Sequence, residues 1–243
     1  MCYNISLLNP SELGIRYDIQ LSSEDSLFNL HPIYHRNAFD LMKYPIITNQ
    51  DSKEINYSTW GLVPNWIKNI NNAKKIQNKT MNARCETLFE KPSFKSAIKK
   101  RRCIIPVDGF FEWRYYDGKN YPYYIYLTGH KIFSIAGIWD VWKNPDTEIE
   151  NCSFSLITCP ANNMMEKIHN KKKRMPVILS RDIENNWIKR FLSKNEIERM
   201  LKPYNLDDLQ AHTISRLITQ RNKQKNNSDV IKQFDYVPLK NFQ

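Results

Sequence analysis

The chain opens Met1-Cys2, and removal of Met1 would leave a free α-amine and a thiol on adjacent carbons. A 1,2-aminothiol of this kind condenses with an aldehyde and closes a thiazolidine ring, which no internal cysteine can do. The plainer reading of Cys2 is a buried, inert side chain. Glu112 lies in the aromatic run Asp108-Gly109-Phe110-Phe111-Glu112-Trp113. Burial there would raise its carboxyl pKa towards neutrality and suit it to general acid–base work; a structural ion pair with an arginine is the alternative. Asn82-Ala83-Arg84-Cys85-Glu86 gathers amide, guanidinium and carboxylate groups in five residues. In an extended segment Asn82, Arg84 and Glu86 share one face, and Arg84 can pair with Glu86 whether the segment is a site or a polar turn. His169 heads the run Asn170-Lys171-Lys172-Lys173-Arg174-Met175-Pro176. It can shuttle protons near neutral pH, or simply close a helix whose last turn favours cations.

A second group of residues suits a polyanion. With 36 Lys and Arg against 25 Asp and Glu, the formal net charge is +11, which favours nucleic acid or an anionic surface as partner. Trp60-Gly61-Leu62-Val63-Pro64-Asn65-Trp66 sets two tryptophans around a rigid turn. Trp60, inside a strand-like run, reads as core, whereas Trp66, beyond the proline, is the candidate for stacking on unpaired bases. Lys95, Lys99, Lys100, Arg101 and Arg102 form a charge run that is either solvated surface or phosphate-contacting.

Other classes are set aside by what is missing. The five cysteines are odd in number and form no Cys-x-x-Cys pair, which reads as a reducing compartment without a disulfide framework. The five histidines show no zinc-like clustering, so no metal and no cofactor are expected. Only six glycines are present, without a dinucleotide or P-loop fingerprint, and no apolar run approaches a membrane span.

These residues must be positioned by a strand-rich centre. Strands are expected at Cys2 to Leu8, Pro45 to Asn49, Glu54 to Val63, Arg102 to Val107, Phe110 to Tyr115, Tyr121 to Leu127, Ile132 to Trp142, Ser153 to Thr158 and Met175 to Leu179. Helices are expected at Pro10 to Tyr17, Ser93 to Arg101, Asn162 to His169, Arg181 to Phe191 and Glu196 to Leu201. Asp18 to His31 reads as a polar loop. The sum is one α+β domain over residues 1–243, with a curled, mostly antiparallel β core and peripheral short helices. Residues 216–243 read as a basic, partly flexible C-terminal segment.

Taken in order, these segments resemble the SOS-response-associated peptidase (SRAP) family. The resemblance is carried by Cys2, Trp60 to Trp66, Asn82 to Glu86, Glu90-Lys91-Pro92-Ser93-Phe94 and Arg101 to Trp113. It continues through Ala136-Gly137-Ile138-Trp139, Thr158-Cys159-Pro160-Ala161-Asn162 and the region from His169 to Pro176. It implies a sensor of abasic sites in single-stranded DNA that attaches to the ring-opened sugar aldehyde through Cys2. It also implies Asn82, Glu112 and His169 as the other catalytic residues, and Arg84 and Asn37 in contact with DNA. Trp66, Lys100, Arg101 and Arg174 join the candidate DNA contacts. Lyase and autopeptidase activities are the finer expectations. A thiol peptidase pairing Cys2 with His169, or a non-covalent single-strand-binding module, are the alternatives. The implied protein is a monomer that meets replication or repair proteins. It would reside in bacterial cytoplasm with the nucleoid or in a eukaryotic nucleus, and no membrane is involved.

The chain departs from the family pattern at three places. Cys-Gly-Arg is here Cys2-Tyr3-Asn4, and Asn-Ala-Pro is Asn37-Ala38-Phe39. His-x-Arg-Met-Pro gains three residues between His169 and Arg174, which either displace His169 or enlarge a basic loop behind it.

Overall fold

The computed structural model describes residues 2–21, 31–129, 131–220 and 223–242. Most of the Asp18 to His31 stretch, at 22–30, lies outside the described residues. Thirteen strands are present: β1 (Asn4–Leu7), β2 (Ile33–Asn37), β3 (Lys43–Thr48), β4 (Asn56–Trp60), β5 (Asn82–Arg84), β6 (Arg102–Val107), β7 (Gly109–Tyr116), β8 (Lys119–Leu127), β9 (Phe133–Lys143), β10 (Glu150–Pro160), β11 (Arg174–Pro176), β12 (Ile178–Leu179) and β13 (Leu209–Thr213).

They form two sheets. The first runs β13–β8–β7–β1–β2 and is antiparallel throughout. In the second, β10 pairs with both β4 and β9, so that β4, β3, β6, β9 and β10 close into a ring. Closure removes free edges from these strands, and helices and the first sheet packed on the outside of the ring bury the second face of β6 and β9, which read as near-continuous apolar runs. Among the described residues, only the pairings of β10 with β4 and β5 are parallel. One apolar cluster joins the sheets, from Ile5 and Leu7 through Ile104, Ile105 and Phe110 to Ile135 and Phe154. The mixed fold with a curled, mostly antiparallel core and short helices is therefore as the sequence indicates.

Several local expectations are corrected. The helix placed at Ser93 to Arg101 is regular only over Ala97–Lys100, and the one at Arg181 to Phe191 stops at Trp187, leaving Phe191 89% exposed. Arg102 supplies the reason. It is fully buried, and its guanidinium donates to the carbonyls of Ile98, Lys99, Trp187 and Lys189, drawing the ends of both helices onto β6. It therefore has no surface to offer a phosphate. The strand expected at Met175 to Leu179 is split at Val177. There the Val177 amide donates to Ile157 on β10 while its carbonyl accepts from Ala136 on β9, so the chain changes partner strand at this residue.

Three elements escape the sequence patterns. β2 and β13 are edge strands, and the apolar alternation that marks a half-buried strand is weak in both. The helix Ile70–Gln77 starts where Asn69 caps the Asn72 amide at 2.9 Å, but its apolar face is only Ile70, Ala73 and Ile76 among Asn, Lys and Gln. Beyond Ser215 the chain packs on the first sheet. Arg216 lies over the Tyr121 and Tyr236 rings, Asn226 Oδ1 accepts from the Tyr34 and His35 amides, and Val230 and Leu239 are buried.

Candidate active site at the amino end of the chain

β1 runs antiparallel to β7 with Ile5 opposite Phe110, so following β1 back towards Cys2 leads along β7 towards Glu112. Cys2 is 1% exposed, and its Sγ donates to the Asn4 carbonyl at 3.6 Å. Burial pushes its thiol far above the ordinary value, and the nearby Glu112 charge pushes it further. Glu112 is itself buried and opposite Tyr123 in the ladder. Burial raises its carboxyl to about 7. The site thus holds a protonated thiol beside a carboxyl that exchanges its proton near neutral pH.

His169 follows the helix Asn163–Ile168, which is capped by the Asn162 side chain on the Met165 amide and packs on β7. Its Nδ1 lies 3.6 Å from Glu112 Oε1 and 2.9 Å from the Arg174 carbonyl. A carbonyl only accepts, so Nδ1 carries the proton and Nε2 is the acceptor nitrogen. Burial lowers the His169 pKa to about 4, with the Lys172 and Arg174 charges acting in the same direction, and the ring is neutral at pH 7. The extra residues before Arg174 fold into a tight turn. The Lys172 and Lys173 amides return to the His169 carbonyl, and Lys173 adopts φ +48. Asn170 fastens this turn to β7 by exchanging two hydrogen bonds with the Tyr115 backbone. The additional length is absorbed behind His169, which stays beside Glu112.

Asn82 is held from beneath. β5 runs parallel to β10 with Asn82 beside Leu156, and the Trp60 indole donates to the preceding Met81 carbonyl at 2.8 Å. Trp60, stacked on Phe154, is core as its position in a strand suggests. The Asn82 side chain is 8% exposed, yet neither its Oδ1 nor its Nδ2 has a hydrogen-bond partner among the described residues. An unsatisfied buried amide costs ~1–3 kcal/mol, so its retention points to a ligand that completes it. Glu86 leaves the strand face expected for it: the chain turns into a short 3-10 helix at Cys85, and Glu86 pairs with Arg174 rather than Arg84. This frees Arg84, which is exposed and whose charge reaches the Tyr3 hydroxyl.

The remaining candidates divide. Trp66 is 50% exposed on its turn, which is fixed by the Asn65 amide donating to Asp140. Arg101 is committed to that same Asp140, with Nε–Oδ1 at 3.1 Å, and so supports the Trp66 turn. Arg174 bridges Glu86 and the Thr158 carbonyl. Lys100 is exposed at the end of Ala97–Lys100, and no contact among the described residues joins it to Cys2 or Glu112. Asn37 donates from Nδ2 to Asn4 Oδ1 and accepts the Phe39 amide, so its amide serves the chain around Cys2.

A groove of about 800 Å³ extends from Asn82 and Arg84 between the helix Ile70–Gln77 and Phe94, and is lined by Lys75, Lys79 and Lys91. Of these lysines only Lys91, in the Glu90 to Phe94 motif, stands in a segment that the sequence singles out, and Lys75 and Lys79 carry no such signal. No group of His, Cys, Asp and Glu able to hold a metal occurs among the described residues, and no helix there is long and apolar enough to cross a membrane.

Residues 1–221 match the family model described as SOS response associated peptidase (SRAP). The chain is 38% identical over 186 residues to the abasic site processing protein YoqW of Bacillus subtilis, covering 75% of this chain and 78% of that one. It is 29% identical to the abasic site processing protein HMCES of Xenopus tropicalis, covering 70% of this chain and 54% of the frog protein. A crystal structure of a Bacteroides thetaiotaomicron protein superposes with a TM-score of 0.90 at 38% identity, covering 96% of this chain and all of that one.

Proposed function

This chain belongs to the SRAP family, and from that membership we propose that it recognises abasic sites in single-stranded DNA and traps their open-chain aldehyde on Cys2. The observation that carries the proposal is the buried Cys2 beside a Glu112 carboxyl that titrates at about 7.

Removal of Met1 places the α-amine on the carbon next to the thiol. An α-amine has an ordinary pKa of about 8, so part of it is neutral at physiological pH. Its nitrogen attacks C1′ of the aldehyde to give a carbinolamine. Glu112, protonated in part near neutrality, gives a proton to the departing hydroxyl, and water leaves to form the imine. The Glu112 carboxylate then takes the Cys2 thiol proton as sulfur adds to the same carbon and nitrogen becomes a secondary amine. One water is lost overall and a thiazolidine is formed. The second addition is intramolecular and gains from proximity. Neutral His169 can accept the C1′ hydroxyl proton at Nε2 as the sugar ring opens, while the protonated fraction of Glu112 supplies the proton taken up by the ring oxygen. Asn82, with both amide atoms unsatisfied, holds the sugar or the amine. Arg84 and the lysines of the groove bind phosphates without reading sequence.

The imine also acidifies C2′, so β-elimination competes with ring closure and gives a lyase side activity. Peptidase chemistry has less support, because a buried thiol held protonated is a poor nucleophile towards an amide.

The test is incubation of protein lacking Met1, verified by intact mass, with single-stranded oligonucleotides carrying an abasic site or a normal base. A band surviving denaturation should appear only with the abasic strand. Cys2→Ala and Cys2→Ser keep the amine and should lose the band while still nicking the strand. An unreactive, correctly processed wild-type protein would refute the proposal.

A further inference from the structure

We propose that Tyr3 and Phe39 form an aromatic platform at the rim of the site and stack on the nucleobase neighbouring the abasic nucleotide in the single strand. This rests on the reading above and adds to it a recognition element belonging to this chain.

Tyr3 directly follows Cys2, and its ring centroid lies 5.2 Å from that of Phe39 at an interplanar angle of 42°. Tyr3 is half-buried, whereas Phe39 is 55% exposed, and Leu41 and Met42 extend the apolar surface at 40% and 54%. The platform is rigid. Asn37 and Asp40 form a capping box around the turn Ala38–Asp40, the Ala38 amide donates to the Tyr3 carbonyl at 2.8 Å, and Leu41 closes the turn at φ +51. It is also at the chemistry, since Tyr3 adjoins Cys2 in the chain and the Glu112 and Arg84 charges both act on its hydroxyl.

The two family positions occupied here by Tyr3 and Phe39 are ones where the pattern has glycine and proline, and in this chain the new side chains touch each other. The neighbouring change removes a charge. Asn4 stands in place of an arginine, and its Oδ1 is turned inward to accept from His35 Nε2 and Asn37 Nδ2, both at 2.8 Å. The ligand chemistry that fits is a planar π-system tethered to a phosphate that Arg84 can meet. A nucleobase next to the lesion has that form, and stacking tolerates any base.

The experiment measures equilibrium binding to a single strand carrying a tetrahydrofuran abasic analogue, which has no aldehyde. A second strand carries the analogue at the lesion and at both neighbouring positions, which removes the flanking bases. Wild-type protein should bind the first strand more tightly by roughly 5- to 140-fold, the span that ~1–3 kcal/mol of stacking gives at ~1.4 kcal/mol per decade. Phe39→Ala should erase most of that preference, Phe39→Trp should retain it, and the dependence of affinity on salt should be the same in all three proteins because no phosphate contact changes. A preference that persists in Phe39→Ala, or that is absent from the wild type, would overturn the platform. Equal loss on both strands would also overturn it, marking Phe39 as a packing residue or a docking point for another partner. Covalent capture of a true abasic strand by the wild type is scored separately, so failure of the platform and failure of the aldehyde trap are distinguishable.

Discussion

Glu112 carries a conflict between stability and reactivity. Its carboxyl is buried and titrates at about 7, against an ordinary value of 4.5. Below pH ~4.5 it is protonated whether the chain is folded or not, and it has no effect. Between that point and pH 7 the folded protein holds a proton that the unfolded chain has released, so stability falls as pH rises; above pH 7 the loss is complete. About two and a half pH units correspond to ~3 kcal/mol. Glu112→Gln removes the ionisation, and urea denaturation should show the variant more stable than wild type by up to ~3 kcal/mol at pH 8 but equal to it near pH 4.5. Its aldehyde capture should be strongly slowed. Equal stability differences at both pH values would disprove the buried-acid account. Asn82 has the same character, a buried amide left unsatisfied where hydrophobic neighbours would be more stable.

Among the elements, β6 and the two helices it gathers show how one side chain organises the frame around the site. Arg102 closes the ends of Ala97–Lys100 and Arg181–Trp187 through four carbonyls. Arg102→Met keeps an unbranched apolar stem but leaves those acceptors buried and unmatched. A loss of ~3–5 kcal/mol is expected, read as a lower urea midpoint with an unchanged slope. A loss below 1 kcal/mol would mean that the carbonyls find other donors. The same residue shows where sequence patterns fail. The central strands were legible because the ring buries one face and the helices and first sheet packed on it bury the other, and their apolar runs say so directly. Arg102 sat in a run of cations that composition assigns to the surface, and only the fold reveals that it points inward. Cys2 and Glu112 stood out by residue type and place, whereas Asn82, in a segment that reads equally as a polar turn, was picked out by the family resemblance. The Glu86–Arg174 pair was not legible, because it depends on the turn at Cys85 and on strand β11 coming alongside β10.

At the scale of the whole molecule, the net charge of +11 becomes a directed feature only where the chain folds lysines around a groove. Lys75, Lys79 and Lys91 come from segments far apart in sequence from Cys2, yet the groove they line begins at Asn82 and Arg84. Affinity for undamaged single strands should fall with salt. Lys79→Ala should lower the slope of log K against log salt by about 0.7, the value of one phosphate contact on a single strand. An unchanged slope would place the DNA elsewhere on the surface. On the proposed mechanism each molecule is consumed by one capture, so it must also remain intact while it waits. Thiol oxidation follows thiolate character and access, and in the chain that still carries Met1 the Cys2 side chain, 1% exposed and held as a neutral thiol, offers peroxide little of either. Burial therefore stores the thiol in a dormant form, and on the proposed mechanism it turns nucleophilic only when an aldehyde has engaged the amine that removal of Met1 uncovers.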